Sequence, residues 1–147
     1  YRSFEEEVPE EYYTLPLDRA VLVKPGEDLT VIAYGSAVHW VQDWMQANPG
    51  TSIELIDLVS LRPVDWNTLE KSVRKTNRCL VVQEDTFLGS IGSSIASEIQ
   101  QLCFAVLDAP VSVLSSSDTP IPFAAELERG FLPQERLNSA IQSILNY

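Results

Sequence analysis

The chain has 147 residues, a formal net charge of -11 and 45% hydrophobic residues, which fits one globular domain with a single sizeable core. The acidic excess excludes nonspecific binding to nucleic acid or to an anionic membrane surface, because either would need a basic face that displaces counterions. A basic or neutral protein partner is compatible with this charge. The longest apolar runs are about half of the roughly 20 residues that a membrane-spanning helix needs, so no membrane segment is expected.

The first twenty residues predict an extended acidic lead-in. Five glutamates lie within residues 5–11, and a run of like charges repels itself and stays extended. The chain begins at Tyr1 without an initiator methionine, so we expect a segment of a longer polypeptide. The expected boundaries are a lead-in over residues 1–20 and a folded domain over residues 21–147.

Residues 16–28 predict an extended stretch that turns at residues 24–27, because Pro25 followed by Gly26 suits the central positions of a type II turn. Four short apolar runs rich in β-branched residues follow, as is typical of strands covered on both faces. These runs are residues 29–34, 53–58, 79–82 and 111–114.

Segments with helical periodicity separate and follow these runs. Ser36 and Asp65 are candidate N-caps of the first two helices, the third runs from about Ile91 to Leu102, and the last runs from Pro133 to Leu145. Strands that alternate with helices imply right-handed crossovers and a mainly parallel sheet. The predicted fold class is therefore α/β, as a three-layer α/β/α domain with a mainly parallel central sheet.

The two cysteines predict a reducing compartment. Cys79 and Cys103 each lie within an apolar run, which favours buried thiols over a disulfide framework. We expect a cytoplasmic protein, although one from the mitochondrial matrix would show the same pattern.

The candidate catalytic groups favour structural roles. His39 falls on the polar side of its predicted helix and is interpreted as a solvated surface histidine, because no sequence pattern pairs it with a nucleophile or an orienting carboxylate. The spacing of this histidine and the cysteines resembles no zinc motif. The carboxylate pairs Glu84 with Asp85 and Glu126 with Glu128 are interpreted as a solvated acidic face.

A glycine- and serine-rich stretch over residues 89–94 opens the third predicted helix. Its backbone N–H groups could cradle a phosphate, but the Walker lysine is absent and Glu84 and Asp85 lie just upstream. Close helix packing, which small residues permit, is the favoured interpretation.

Several motifs, in this order and spacing, resemble the C-terminal domain of the beta subunit of thiamine-dependent 2-oxo acid dehydrogenases. They cover nearly the whole chain, and they are VPEEYY with LPL from Val8, residues 29–36, IDL at 56–58 with Pro63 and Asp65, KTNR at 75–78, and DTPIP at 118–122. A related domain recurs across the transketolase family.

The resemblance implies an assembly and docking domain. In that family, thiamine diphosphate lies between the alpha subunit and the N-terminal domain of the beta subunit, and the Gly-Asp-Gly motif for metal and diphosphate is absent from this chain. We therefore expect no catalytic, cofactor-binding or metal-binding residue in this domain, with thiamine diphosphate and magnesium in the intact enzyme. The expected partners are the alpha subunit, a second beta subunit and the peripheral-subunit-binding domain of the acyltransferase.

Two residues are assigned to the acyltransferase contact by the resemblance alone. Asp108, within the segment LDAP, looks like the acid that family members use, and the terminal carboxylate of Tyr147 resembles a second. An acid beside a proline-fixed strand start would suit a basic partner. The alternative for Asp108 is a residue that serves only the turn from helix to strand.

The substrate class and two alternative functions stay open. Val59 stands where many relatives have arginine, and the ILNY ending resembles branched-chain enzymes, whereas Phe123 and the neighbouring residues resemble pyruvate enzymes. The chain could instead be the corresponding domain of another transketolase-family enzyme, or a free-standing α/β binding module.

Overall fold

The computed structural model describes residues 7–147. The predicted acidic arm lies partly in residues 1–6, outside the described residues. Residues 7–20 contain no helix or strand. The strands are β1 Val21–Lys24, β2 Leu29–Ala33, β3 Ile53–Asp57, β4 Cys79–Thr86 and β5 Ser112–Ser116, and the helices are α1 Ser36–Ala47, α2 Trp66–Thr76, α3 Ile91–Cys103, α4 Ala125–Phe131 and α5 Leu137–Leu145.

The strands form one mixed sheet with the order β1-β3-β2-β4-β5. β2 to β5 run parallel to one another, and the edge strand β1 pairs with β3 in the antiparallel direction. Helices α2 and α3 cover one face, and α1 and α5 cover the other. The predicted α/β class with a mainly parallel sheet between two helical layers is confirmed.

Side-chain alternation along the strands builds two cores. Leu29, Val31 and Ala33 of β2 join the core beneath α1 and α5, while Ile32 joins the core beneath α2 and α3. All four are fully buried. The central strands are therefore apolar on both faces, as their nearly continuous apolar runs predict.

Strand β1 lies within residues 16–28, for which the sequence predicts an extended stretch but no strand. Val21 pairs with Asp57 and Leu22 with Ile56, and both β1 side chains stay largely exposed. An exposed edge strand carries no buried-strand pattern, so its pairing depends on β3, far along the chain.

The predicted type II turn at residues 24–27 is wrong. Such a turn needs a positive φ at Gly26, and the glycines with positive φ are Gly35 and Gly89. Gly26 is required for another reason, because a Cβ there would lie 2.1 Å from the carbonyl carbon of Ile53. The backbone at the start of β3 approaches Gly26 too closely for any side chain at that position.

The helix boundaries confirm one of the two predicted N-caps and shift the start of the last helix. Asp65 caps α2 as predicted, since its carboxylate accepts a hydrogen bond from the Thr68 N–H at 3.1 Å. Ser36 is not a cap but the first residue of α1, after Gly35. The last predicted helix begins at Leu137 rather than Pro133, after a 3₁₀ turn, and α4 is an additional helix. No helix within residues 7–147 is long and apolar enough to span a bilayer.

Candidate docking site

A groove of about 300 Å³ lies where α3 ends and the chain turns towards β5. It is lined by Gln100, Phe104, Leu107, Asp108, Ala109, Pro110 and Tyr147. The structure therefore brings together Asp108 and Tyr147, the two residues that the resemblance assigns to a partner contact.

The loop that carries Asp108 is fixed because the residues on either side of Asp108 pack against the two cores. Leu107 packs against the core beneath α2 and α3, whereas Ala109 belongs to the core beneath α1 and α5. The Asp108 N–H donates to the Asn77 carbonyl oxygen at 2.8 Å, and the Val111 N–H donates to Gln100 Oε1 at 2.9 Å. Asp108 is thus both a turn residue and an exposed acid held in one place.

Arg78 is the internal counterion of Asp108. Its Nη2 lies 3.5 Å from Asp108 Oδ2, and the Asp108 side chain keeps 51% of its surface exposed. A partly exposed pair at this distance contributes less than about 1 kcal/mol. Arg78 Nε is buried without a hydrogen-bond partner among residues 7–147. The weak internal pairing leaves the Asp108 carboxylate available to an external cation.

Tyr147 reaches the groove from the end of α5. Ile144, which is 3% exposed, anchors the last turn, and the Tyr147 N–H donates to the Ile144 carbonyl oxygen at 3.3 Å. The Tyr147 residue itself is 77% exposed. The end of α5 is therefore fixed, while the Tyr147 side chain that follows it faces solvent at the groove.

Phe104 is a groove residue that the sequence interpretation missed. It follows Cys103 in an apolar run but is 74% exposed. The buried face of α3 contains Ile95, Ile99 and Cys103 at intervals of four, and the next residue is rotated by about 100° from that face. The helical spacing therefore contained a signal for the exposure of Phe104.

The groove lies at the amino end of the parallel strands. Arg78 immediately precedes β4, and Asp108 lies four residues before β5. In α/β proteins small ligands usually bind at the opposite edge, beyond the carboxyl ends of the strands. The groove therefore lies at the edge of the sheet away from the usual small-ligand position of this fold class.

The glycine- and serine-rich stretch is packed as predicted. Ser90 Oγ accepts a hydrogen bond from the Ser93 N–H at 3.2 Å and caps α3. Gly92 donates its N–H to the buried Gln83 Oε1 at 2.9 Å, and a Cβ at Gly92 would lie 2.2 Å from that oxygen. Close helix packing explains the small residues.

The remaining candidate catalytic residues are exposed or half-buried side chains. Glu84, Asp85, Glu126 and Glu128 are all exposed, as predicted for a solvated acidic face. His39 is half-buried rather than fully solvated, because its helix neighbours Val38 and Trp40 lie in the core. Within residues 7–147, no three His, Cys, Asp or Glu side chains cluster closely enough to hold a metal ion.

Both cysteines are buried and unpaired, as the apolar runs predict. Cys79 is 0% exposed and Cys103 is 1% exposed. Burial raises the pKa of each thiol above its ordinary value. Neutral, enclosed thiols of this kind act as small apolar side chains.

A larger cavity of about 530 Å³ lies between the loop after β3 and the first half of α3. Its walls include Leu61 and Pro63 on the loop, Trp66 at the start of α2, and Ile91 and Ile95 on α3. Neither Asp108 nor Tyr147 contributes to it, so it is a separate feature of the carboxyl edge.

The chain matches known proteins along most of its length. The family model for the transketolase C-terminal domain matches residues 18–136. The pyruvate dehydrogenase E1 component subunit beta of Porphyra purpurea is 37% identical over 147 residues, covering 98% of this chain and 44% of the relative. The Staphylococcus epidermidis protein of the same name is 39% identical over 92% of this chain and 42% of the relative.

A third relative differs in its named substrate. The 2-oxoisovalerate dehydrogenase subunit beta of Pseudomonas aeruginosa is 42% identical over 120 residues, covering 82% of this chain and 34% of the relative. The chain thus spans less than half the length of these curated relatives.

Two solved structures share the fold. A split-gene transketolase, described as an inactive β4 tetramer, superimposes with a TM-score of 0.72 at 24% identity, covering 95% of this chain and 46% of the other. A 2-oxoglutarate:ferredoxin oxidoreductase from Magnetococcus marinus gives a TM-score of 0.53 at 14% identity, covering 86% of this chain and 19% of the other. The match over residues 18–136 shows that the chain belongs to the transketolase C-terminal domain family.

Proposed function

We propose that this chain is the C-terminal assembly and docking domain of the beta subunit of a 2-oxo acid dehydrogenase. One observation carries the proposal: the groove brings Asp108 and Tyr147 together. The chain is 37 to 42% identical to pyruvate and 2-oxoisovalerate dehydrogenase beta subunits, which supports this assignment. The whole enzyme would catalyse oxidative decarboxylation of pyruvate or a branched-chain 2-oxo acid.

The cofactor chemistry belongs elsewhere in the proposed enzyme. Thiamine diphosphate and magnesium would be expected in the intact enzyme, but residues 7–147 do not fit them. Within residues 7–147 the acids form no metal-binding cluster, and the Gly92 and Ser93 N–H groups at the start of α3 already donate to Gln83 Oε1 and Ser90 Oγ. This domain would instead contact the alpha subunit and a second beta subunit, with its boundary to the lead-in near residue 20.

The assembly role is supported by apolar side chains at the carboxyl edge of the sheet. Phe87 and Leu88 follow β4, Ile121 and Phe123 follow β5, and all four are exposed. Asp118 Oδ1 joins the two loops by accepting hydrogen bonds from the Phe87 and Leu88 N–H groups at 2.9 and 3.2 Å. Apolar residues grouped in this way favour burial against another subunit.

The docking role is supported by the charge and rigidity of the opposite edge. The peripheral-subunit-binding domain of the acyltransferase would present a basic group to Asp108, and the resemblance assigns the Tyr147 carboxylate as a second acid. Charge-assisted hydrogen bonds are about twice as strong as neutral ones. Because the Asp108 loop is already fixed, little ordering would oppose binding.

Calorimetric titration of the full-length protein with a peripheral-subunit-binding domain tests the proposal. Asp108→Asn should weaken binding roughly 10-fold to 100-fold at low salt, since a hydrogen bond to a charged group contributes about 1.5–3 kcal/mol. The difference should shrink at higher salt, because exposed charges are screened. Asp43→Asn is the matched control, since Asp43 is an exposed acid on α1 and should bind like wild type.

Two results would contradict the proposal. Wild-type affinity in Asp108→Asn would place docking on another face. A fully assembled wild-type protein that does not bind at any salt would support the alternative, the corresponding domain of another transketolase-family enzyme.

A further inference from the structure

We infer that Phe104 is the apolar anchor of the docking groove, and that the groove receives a partner side chain with an apolar stem and a cationic end. The inference rests on the proposed docking function and adds a residue that neither the resemblance nor the comparisons assign.

The exposure of Phe104 carries the inference. Single exposed apolar residues are common on protein surfaces, but Phe104 shares its groove with a second exposed aromatic residue, Tyr147. The two residues are 74% and 77% exposed. Leu107 and Pro110 extend the apolar lining, and Asp108 supplies a charged side chain to this groove.

The backbone at Phe104 is held in place without a partner. It begins the 3₁₀ turn Phe104–Val106, directly after Cys103, which is 1% exposed and belongs to the core. The Gln100 side chain ties the helix side of the groove to Val111 through its 2.9 Å hydrogen bond. An aromatic side chain has few rotatable bonds and so offers contact area at low entropic cost, which is typical of interface hot spots.

The chemistry of the lining defines what it can accept. Lysine and arginine stems pack along apolar surfaces while their charged ends reach a polar partner, and an aromatic ring attracts a cation over its face. Phe104 and Asp108 line the same groove, so one basic side chain could contact both. The two residues would contribute to binding in different ways. Salt does not screen the burial of apolar surface at Phe104, whereas it does screen the charge of Asp108.

The test is titration of the full-length protein with a peripheral-subunit-binding domain at low and moderate salt. We expect Phe104→Ala to weaken binding about tenfold at both salt concentrations, and Phe104→Tyr, which keeps the ring, to restore most of the affinity. Tyr12→Ala is the control, because Tyr12 is 94% exposed and does not line the groove; it should bind like wild type. All variants should keep the wild-type melting temperature, since these side chains are exposed.

Three outcomes would overturn the inference. If Phe104→Ala binds within twofold of wild type while Asp108→Asn is weakened, Phe104 is no anchor and the docking function stands. If the loss in Phe104→Ala shrinks with salt as it does in Asp108→Asn, its contribution is not apolar. If Tyr12→Ala loses as much affinity, the effect is not specific to the groove; absence of wild-type binding would instead contradict the proposed function itself.

Discussion

Glu54 is a buried acid whose charge is stabilised by local partners. The residue is 4% exposed, its carboxylate pairs with Lys75, and Gly26 N–H donates to Glu54 Oε2 at 3.3 Å. Burial by itself raises the pKa of Glu54, but the hydrogen bonds from Lys75, Ser72 and Gly26 outweigh it and lower the pKa below its usual value. A lowered folded-state pKa means that the carboxylate stabilises the fold above the unfolded-state pKa and loses this effect as pH falls through the folded-state pKa.

Glu54→Gln should therefore destabilise the protein in a pH-dependent manner. We expect a loss of about 1–3 kcal/mol in the free energy of unfolding near pH 7, measured by urea denaturation. The difference from wild type should shrink as the pH falls below the ordinary glutamate pKa of about 4.3 and through the lowered pKa of Glu54, because the wild-type carboxylate then also becomes protonated. Glu70→Gln is the control, because the Glu70–Arg74 pair is exposed. A difference that stays constant with pH would contradict the account.

A site residue can be predicted when its role shows in the local sequence. It cannot be predicted when its role depends on contacts between distant segments. Asp108 and Tyr147 came from a resemblance of ordered motifs, and their proximity follows only from the paths of α3 and α5. Arg78 is recognisable as the counterion of Asp108 only after β4 and the loop before β5 are placed side by side. Phe104 could have been recognised from helical spacing, since the buried face of α3 ends at Cys103.

The buried side chain of Gln83 holds the start of α3 against the sheet. Gln83 is fully buried in β4, and its Oε1 accepts hydrogen bonds from Gly92 N–H at 2.9 Å and from Tyr34 OH at 3.1 Å. Its Nε2 donates to the Thr86 carbonyl oxygen at 2.9 Å. One amide thereby joins β4, α3 and the segment after β2.

Gly92→Ala should disrupt this junction. Alanine favours helix over glycine by about 1 kcal/mol, but the new Cβ would lie 2.2 Å from Gln83 Oε1. Displacing Gln83 would break buried hydrogen bonds that cost about 1–3 kcal/mol when left unsatisfied. We expect a lower melting temperature in a thermal scan.

Gly130→Ala provides the matched control, because this glycine lies in α4 with nothing within 4 Å of an added Cβ. It should leave the melting temperature unchanged or raise it. A Gly92→Ala variant as stable as Gly130→Ala would show that α3 does not depend on the Gln83 junction.

Hydrophobic periodicity predicts the strands and helices that bury a face of apolar side chains. Strands β2 to β5 and helices α1, α2, α3 and α5 all bury such a face. Helix α4 buries only Phe131, and β1 is a short edge strand with exposed side chains. Neither has a local pattern that distinguishes it from a loop, because tertiary contacts determine both.

At the scale of the whole molecule, the two edges of the sheet carry different surfaces. The amino edge holds the groove with Asp108 and Tyr147, whereas the carboxyl edge carries exposed apolar loops after β4 and β5. An acidic, aromatic groove suits a basic partner that binds and leaves, and an apolar edge suits a permanent subunit contact. The proposed function thus divides docking at the amino edge from subunit assembly at the carboxyl edge.

Hydrogen–deuterium exchange on the assembled full-length protein, with and without a peripheral-subunit-binding domain, tests that division most directly. The account predicts that partner binding slows amide exchange over residues 104–111 and 144–147, and leaves residues 58–65, 87–90 and 117–124 unchanged. Slower exchange confined to the carboxyl-edge loops, with none at the groove, would contradict it.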